Sequence, residues 1–222
     1  MKWLALILLL ASPSWSAVAN PDEANDWLRI SANLPGTGDF TICFKIAMVD
    51  EAEWAGIFTR DAATGDHVYF GTRNTDVMIL IISGVQINTT DLSGRAGEWL
   101  YYAATRSGDD WTTYLNGEQT GTVNDNGTWD NANMSLFQGL RFTGDTKIVN
   151  IEAVKFWDAA LTIEAIRNEM MRIRPVRLAD LYGWWPLIDT SNISFLDFSG
   201  GLAHDWTEAG AIENVDGSPT GW

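Results

Sequence analysis

The sequence predicts an all-β fold, an antiparallel β-sandwich with one short helix near residues 162–173. Two observations lead to this class. Short segments of alternating or continuous apolar residues follow one another along most of the chain, separated by turns rich in Gly, Asp and Asn. A single later segment has helical spacing instead. With 222 residues, 46% of them hydrophobic, the chain is long enough to bury one sizeable core.

The clearest element is a hairpin within residues 98–122. Asn116-Gly117 separates two predicted strand segments, and this dipeptide favours a type I′ turn because both central residues of that turn need positive φ. Residues 99–104 are apolar at every position, so both faces of this strand require cover. We therefore expect the strand to lie in the middle of a layered structure.

A second strand is predicted over residues 40–46, where aromatic and aliphatic side chains occupy the even positions. Thr41, Cys43 and Lys45 occupy the odd positions, which predicts one packed face and one solvated face. Cys43 is expected to be a small, partly buried side chain. Further strands are predicted at residues 27–32, 54–60, 67–73, 77–82, 85–90, 134–142, 147–157 and 181–187.

The helix prediction depends on its start signal and its apolar face. Thr162 is a suitable N-cap, and Glu164 follows close to the positive end of the helix dipole. Pro175 is expected to end the helix. Four apolar residues share one face at helical spacing: Ile163, Ile166, Met170 and Ile173.

Residues 1–19 are predicted to be a secretory signal peptide. Lys2 gives a basic start, residues 4–11 are apolar, and Ala17-Val18-Ala19 is a small-x-small cleavage site, with cleavage expected after Ala19. Residues 20–222 are predicted to form a single domain, in which residues 181–206 pack back as a C-terminal strand and loops. A secreted, periplasmic or extracellular location follows as the expectation.

Charge and cysteine content limit the partners. Fourteen Lys and Arg against 29 Asp and Glu give a net charge of −15, which repels nucleic acid and anionic membranes. No segment is long and apolar enough to be predicted as a membrane span. Because Cys43 is the one cysteine, an internal disulfide is excluded.

Four segments in order resemble the laminin-G-like, concanavalin A-like lectin and glucanase jelly rolls. They are residues 40–44 (FTICF), 99–103 (WLYYA), 114–118 (YLNGE) and 151–157 (IEAVKFW), the last followed by Ala160-Leu161-Thr162 before the helix. The resemblance covers residues 27–171 and implies a jelly-roll sandwich. One departure concerns a "yypldg…D.SG.g" string, which the family often has before the jelly roll. A similar string here, residues 184–189 with residues 197–201, follows the helix instead.

The resemblance does not imply hydrolase activity. Glucanases of this superfold carry a Glu-x-Asp-x-Glu strand, whose carboxyl groups act together in a retaining mechanism. This chain has no such string, and Glu152 stands alone, expected at a strand edge. His67 and His204 do not suffice for a predicted triad or metal site. No catalytic residue is therefore predicted.

Aromatic residues are the best indication of a binding site. Tryptophans beside polar residues at strand starts and loops can stack on a pyranose ring while their neighbours bind hydroxyl groups. The alternative is that these indoles cover the core, and the residues alone leave both open. The candidate carbohydrate-binding residues are Trp54, Trp111, Trp129 and Trp206.

Calcium is the expected cofactor, because hard cations prefer several oxygen ligands on loops. The family resemblance agrees with this, since such domains sometimes bind calcium at the rim of the sandwich. The candidate ligands are Asp109, Asp110 and Asn116, which share one hairpin region.

The sequence therefore predicts a secreted, non-catalytic binding module whose partner is a glycan or a glycosylated surface. One alternative is a glycanase or polysaccharide lyase of the same superfold. Another is a structural or adhesive subunit of a cell envelope or a viral particle.

Overall fold

The structure is a computed structural model that describes residues 16–19, 27–30, 38–48, 55–60, 68–73, 77–82, 85–126, 134–136, 149–188, 197–199, 207–209 and 213–216. The strands of these ranges are, in chain order, β1 (Ser16–Ala19), β2 (Trp27–Ile30), β3 (Phe40–Met48), β4 (Ala55–Arg60), β5 (Val68–Arg73), β6 (Val77–Ile82), β7 (Val85–Asp91), β8 (Trp99–Ser107), β9 (Asp110–Leu115), β10 (Glu118–Asn124), β11 (Met134–Leu136), β12 (Val149–Trp157), β13 (Leu181–Trp185), β14 (Thr207–Ala209) and β15 (Glu213–Asp216). The helix α1 (Ile163–Met170) lies between β12 and β13.

The described strands form two antiparallel sheets. The first sheet has the order β10-β9-β8-β3-β12-β1-β15, with β13 also pairing with β12. The second has the order β14-β2-β11-β4-β5-β6-β7, and β7 approaches β9 and β10 of the first sheet. The prediction of an all-β antiparallel sandwich with one helix is confirmed.

Aromatic rings fill one face of the first sheet. Phe44 of β3 lies opposite Tyr102 of β8, with ring centroids 5.4 Å apart. Phe40 stacks on Phe156 of β12 at 5.5 Å. All four side chains are fully buried, and such ring pairs add to the free energy gained from apolar burial. We call this the inner face of the sheet.

The hairpin predicted around Asn116-Gly117 is present between β9 and β10. Both residues have positive φ, 50° at Asn116 and 77° at Gly117, as a type I′ turn requires. The Asn116 side chain also accepts a hydrogen bond from the backbone N–H of Tyr101 (2.9 Å), which ties the turn to β8. The turn therefore holds three central strands in register.

Two glycines of this hairpin region provide a matched pair of variants. Gly117→Ala is expected to lower the free energy of unfolding by about 2–3 kcal/mol, because the new Cβ would lie 2.8 Å from Cγ of Arg167. Gly108 also has a positive φ, 60°, but an added Cβ would have no atom within 4 Å, so Gly108→Ala should cost only about 1 kcal/mol. Urea unfolding measures both. Equal losses would show that the contact with Arg167 is unimportant.

The opposite, outer face of the first sheet is covered and not solvated. Thr41 and Cys43 are fully buried and Lys45 is 3% exposed, so the prediction of a wet face on β3 is wrong. The reason is α1, whose Ile166 packs with Cys43 and Trp157 in one buried cluster. Burial raises the pKa of Cys43 to about 12, so its thiol stays protonated near neutral pH.

The helix begins at its predicted N-cap but ends three residues earlier than predicted, so that Ile173 lies outside it. Thr162 is the N-cap and accepts a hydrogen bond from the backbone N–H of Ala165 (3.3 Å). Helical structure ends at Met170, before Pro175. Lys155 of β12 donates a hydrogen bond to the backbone carbonyl of Glu169 (3.0 Å), so a buried cation satisfies one of the carbonyl groups left unpaired at the end of the helix.

Strand β1 consists of residues from the end of the predicted signal peptide. It pairs with β12 through Val18 and Ala19 and with β15 along its whole length. Cleavage after Ala19 stays a prediction. Within the part of the chain that the structure describes, no helix has the length and apolar character needed to cross a bilayer.

Candidate functional site

The structure tests the predicted carbohydrate-binding role for one of the four candidate tryptophans. Trp54, Trp129 and Trp206 lie outside the described residues, and their carbohydrate-binding role stays a prediction. Trp111 lies in β9 with an exposed fraction of 0%, so the prediction that it stands at the rim is wrong. A fully buried indole offers no face to a sugar ring.

The neighbours of Trp111 show why it is buried. It is the cross-strand partner of Arg106 on the inner face, and the guanidinium carbon lies 5.4 Å from the indole centroid. Phe40 contacts the indole edge to face at 5.1 Å. The indole N–H donates to the backbone carbonyl of Asp125 (3.2 Å), so its polar atom is also satisfied inside the protein.

The three candidate calcium ligands do not share one site, which corrects the prediction. Asp109 and Asp110 lie at the start of β9, whereas Asn116 follows its last residue. Six residues of extended chain separate Asp110 from Asn116 by about 20 Å. Asn116 is engaged with Tyr101, and Asp110 accepts a hydrogen bond from the Asn124 amide (2.7 Å).

Calcium binding itself stays a prediction. The described residues contain no group of three or more His, Cys, Asp or Glu side chains placed to hold a metal ion. Any ligand set must therefore include backbone or amide oxygens, or residues outside the described ranges.

Glu152 was expected at a strand edge, and this prediction is wrong. Its strand, β12, has β3 on one side, and the Glu152 side chain is fully buried on the outer face. The carboxylate forms an ion pair with Lys45 of β3, at 3.3 Å. The carboxylate is therefore engaged inside the sheet and is not exposed to solvent.

A second buried ion pair lies beside the first on the outer face. Lys155 of β12 and Glu169 of α1 are separated by 2.9 Å and are almost inaccessible to water. Burial lowers the pKa of Lys155, although the Glu169 carboxylate acts against this shift. Lys155 donates further to two backbone carbonyls after the helix, those of Arg172 (2.6 Å) and Arg174 (3.4 Å).

An exposed aromatic pair stands at the outer edge of β13, and sequence reasoning did not select it. The rings of Trp184 and Phe198 lie 5.6 Å apart with a tilt of 52°. Phe198 is 45% exposed and Trp184 is half-buried, so the two rings together offer an apolar surface to solvent. We call Trp184 and Phe198 the edge aromatic pair.

Asp197 fixes the geometry of this pair. Its Oδ1 accepts hydrogen bonds from the backbone N–H groups of Trp184 (3.0 Å) and Ser199 (2.9 Å), and its Oδ2 accepts one from the Ser199 hydroxyl (3.0 Å). The backbone N–H of Phe198 donates to the carbonyl of Trp184 (2.9 Å). Residues 197–199 are thus hydrogen-bonded to β13, and these bonds hold Phe198 beside the indole of Trp184.

One polar atom of the pair has no partner. The indole N–H of Trp184 is buried and donates no hydrogen bond to any residue that the structure describes. Buried donors are usually satisfied, so an unpaired one next to an exposed ring indicates a place where a hydroxyl group or a water molecule can bind. The sequence signal for this site was the string at residues 184–189 and 197–201, which carries both rings.

The family comparison decides the class of the protein. The family model described as the concanavalin A-like lectin/glucanases superfamily, of laminin-G type, matches residues 22–167, more than half of the chain. The chain belongs to this superfamily. The family expectation from the sequence motifs is thereby confirmed, including its jelly-roll fold.

Solved structures of other proteins share the fold of this chain. A protein of Bacteroides ovatus, described as a candidate carbohydrate-binding protein, superposes with a TM-score of 0.66 at 15% identity, over 91% of this chain and 61% of the other. The present chain thus spans about three fifths of the length of the Bacteroides ovatus protein. A heptameric SAP-like pentraxin of Limulus polyphemus gives a TM-score of 0.63 at 12% identity, over 93% and 97%. At these identities the similarity shows the fold alone. A comparison with curated proteins finds none that matches.

Proposed function

We propose that the protein is a carbohydrate-binding module that uses the edge aromatic pair, Trp184 and Phe198, as its binding platform. The observation that carries this proposal is a solvent-exposed aromatic pair, held in place by Asp197, in a fold of the lectin and glucanase superfamily. A sugar ring can stack on the exposed face of Phe198, because aromatic faces attract the C–H side of a pyranose.

Two further features support this use. The pair is preorganised, since hydrogen bonds from three loop residues fix it before a ligand arrives. The unpaired indole N–H of Trp184 can donate to a sugar hydroxyl after a small movement of the ring. A shallow site of this size is expected to bind with a Kd of roughly 1 mM to 1 μM.

The proposal includes the place where binding occurs. Export directed by residues 1–19 would bring the protein to glycans or glycosylated surfaces outside the cytoplasm. Calcium, the expected cofactor, would act as a structural ion or bridge sugar hydroxyls, and binding assays with and without calcium separate these cases.

Phe198→Ala is expected to weaken glycan binding about tenfold or more, because the exposed ring is the main apolar contact. Its effect on the free energy of unfolding should be small, since nearly half of the side chain is already in solvent. A glycan array identifies a ligand, and isothermal titration calorimetry then compares the wild type with the variant.

Val123→Ala is the control, because Val123 is a half-buried apolar residue of β10, four strands away from β12 in the first sheet. It should leave glycan affinity unchanged within about twofold. Equal glycan affinity of the wild type and Phe198→Ala would remove the edge aromatic pair from the proposal. The absence of binding to any glycan would contradict the carbohydrate-binding function itself.

A further inference from the structure

Exposed positive charge is concentrated in the last turn of α1 and the loop that follows it. Four of the ten arginines of the chain lie between residues 167 and 177, in a protein whose net charge is −15. Arg172 and Arg174 are both exposed in this loop. We call residues 171–178 the arginine loop.

Two of these four arginines are already neutralised. Arg167 pairs with Glu118 at 3.0 Å, and Arg177 pairs with Asp180 at 2.6 Å. Arg172 and Arg174 form no ion pair with any residue that the structure describes. Two guanidinium groups are therefore available to a ligand from solvent.

The backbone of the arginine loop is held from below by the buried ion pair. Lys155 binds the carbonyls of Arg172 and Arg174, and Glu169 Oε1 accepts hydrogen bonds from the backbone N–H groups of Val176 (2.9 Å) and Arg177 (2.7 Å). The loop thus has a fixed path over the sheet, and the two free guanidinium groups extend from a rigid support. Such preorganisation lowers the entropy lost on binding.

The arginine loop and the edge aromatic pair lie on the same face of the sheet. Lys155 of β12 is the direct cross-strand partner of Trp184 in β13. Side chains of directly opposed residues point to the same face and lie about 5 Å apart at Cβ. Because Lys155 binds two carbonyls of the loop, the backbone of Arg172 and Arg174 lies above β12, the strand next to Trp184.

We propose that the ligand of this surface is an acidic saccharide, a sugar chain that carries carboxylate or sulfate groups. One sugar ring stacks on the edge aromatic pair, and Arg172 and Arg174 bind the anionic groups of that ring or its neighbour through charge-assisted hydrogen bonds. This inference rests on the proposed carbohydrate-binding function and adds the chemical class of the ligand.

The overall charge limits how many anionic groups the ligand can carry. A net charge of −15 opposes the approach of any densely charged polymer, and nucleic acid in particular is bound mainly through many phosphate contacts. Two guanidinium groups beside an aromatic pair suit a ligand with one or two charges near a stacking ring. Single-stranded nucleic acid is kept as an outcome of the test.

The experiment compares pairs of ligands that share one sugar backbone and differ in whether it carries anionic groups. Calorimetric titrations use polygalacturonate and its fully methyl-esterified form, which share one backbone, and also dextran sulfate and dextran. The protein variants are Arg172→Gln/Arg174→Gln, the control Arg95→Gln in the β7–β8 turn, and Phe198→Ala. We expect the wild type to prefer at least one charged polymer over its neutral counterpart, and which pair shows the preference tells carboxylate from sulfate recognition.

The double variant should bind the preferred charged polymer about tenfold more weakly and with a smaller dependence on salt. Arg95→Gln should bind as the wild type does. Because both arginine side chains are exposed, the double variant should have the circular dichroism spectrum and Tm of the wild type. Unchanged values would exclude misfolding as the cause of weaker binding.

Two kinds of result would overturn the inference. If the wild type binds the neutral polymers as tightly as the charged ones, and the double variant does the same, the arginines are not part of the site while the proposed function stands. If the wild type binds a single-stranded oligonucleotide more tightly than any polysaccharide, the ligand class is wrong. If no saccharide binds at all, the proposed function fails together with the inference.

Discussion

Lys155→Met is expected to lower the free energy of unfolding by about 3–5 kcal/mol, the range found when one partner of a buried ion pair is removed. The variant leaves the Glu169 carboxylate inside the protein without its cation, 2.9 Å away in the wild type. It also removes the donor that satisfies the backbone carbonyls of Arg172 and Arg174. Urea unfolding monitored by tryptophan fluorescence measures the loss.

Arg95→Gln is the control for a pair of the same charges at the surface. Arg95 and Glu98 lie 2.6 Å apart, but their side chains are 28% and 48% exposed, so this pair should contribute about 0–1 kcal/mol. The double variant Lys155→Met/Glu169→Leu should recover part of the loss, because it removes both charges. A loss below about 1 kcal/mol for Lys155→Met would show that the buried pair does not stabilise the fold.

Trp111→Ala is expected to cost about 3–5 kcal/mol in the free energy of unfolding, as large aromatic deletions in a core do. The indole is fully buried between Phe40 and Arg106, and the deletion leaves a cavity against both. It also leaves the carbonyl of Asp125 without its indole donor. Trp111→Phe retains part of the ring volume and should cost less.

The same variants separate a core role from a binding role. A folded Trp111→Phe protein should bind glycans as the wild type does, whereas Phe198→Ala should lose affinity and keep its stability. Calorimetry and urea unfolding on both proteins give the comparison. Wild-type stability in Trp111→Ala together with lost glycan binding would restore Trp111 as a surface residue.

Much of the fold could be predicted because its signals are local. The turn at Asn116-Gly117 needs two residues that tolerate positive φ, and this pair is visible in the sequence. Likewise, Thr162 and the apolar spacing after it identify α1 without knowledge of its neighbours. Alternation along β3 correctly predicted a strand, since strand periodicity depends on the strand itself.

The sequence did not predict correctly which strand faces are buried, because burial depends on packing against residues that are distant in the sequence. Cys43 looks like a residue of a solvated face, but α1, more than a hundred residues later, packs over it, and Lys45 on the same face pairs with the buried Glu152. Trp111 follows two aspartates and precedes two threonines, which suggested the rim. Its position is decided instead by Arg106, its partner on the neighbouring strand.

The edge aromatic pair shows the same limit at the candidate site. Trp184 and Phe198 are fourteen residues apart and come together because Asp197 hydrogen-bonds to the backbone of β13. The resemblance to a family string marked these residues, but no spacing rule says that such a string joins two rings. Paired carbonyl and N–H groups, which sequence patterns do not record, determine the site.

The site of the predicted signal-peptide cleavage determines whether strand β1 remains in the first sheet. It joins β15 to β12, because it pairs with β12 at Val18 and Ala19 and with β15 at all four of its residues. Cleavage upstream of Ser16 would retain this bridge in the mature protein. Cleavage after Ala19 would release it, and would leave β15 without the hydrogen-bonding neighbour it has in the described sheet. The mass of the exported polypeptide therefore reports which of two sheet edges the mature protein carries.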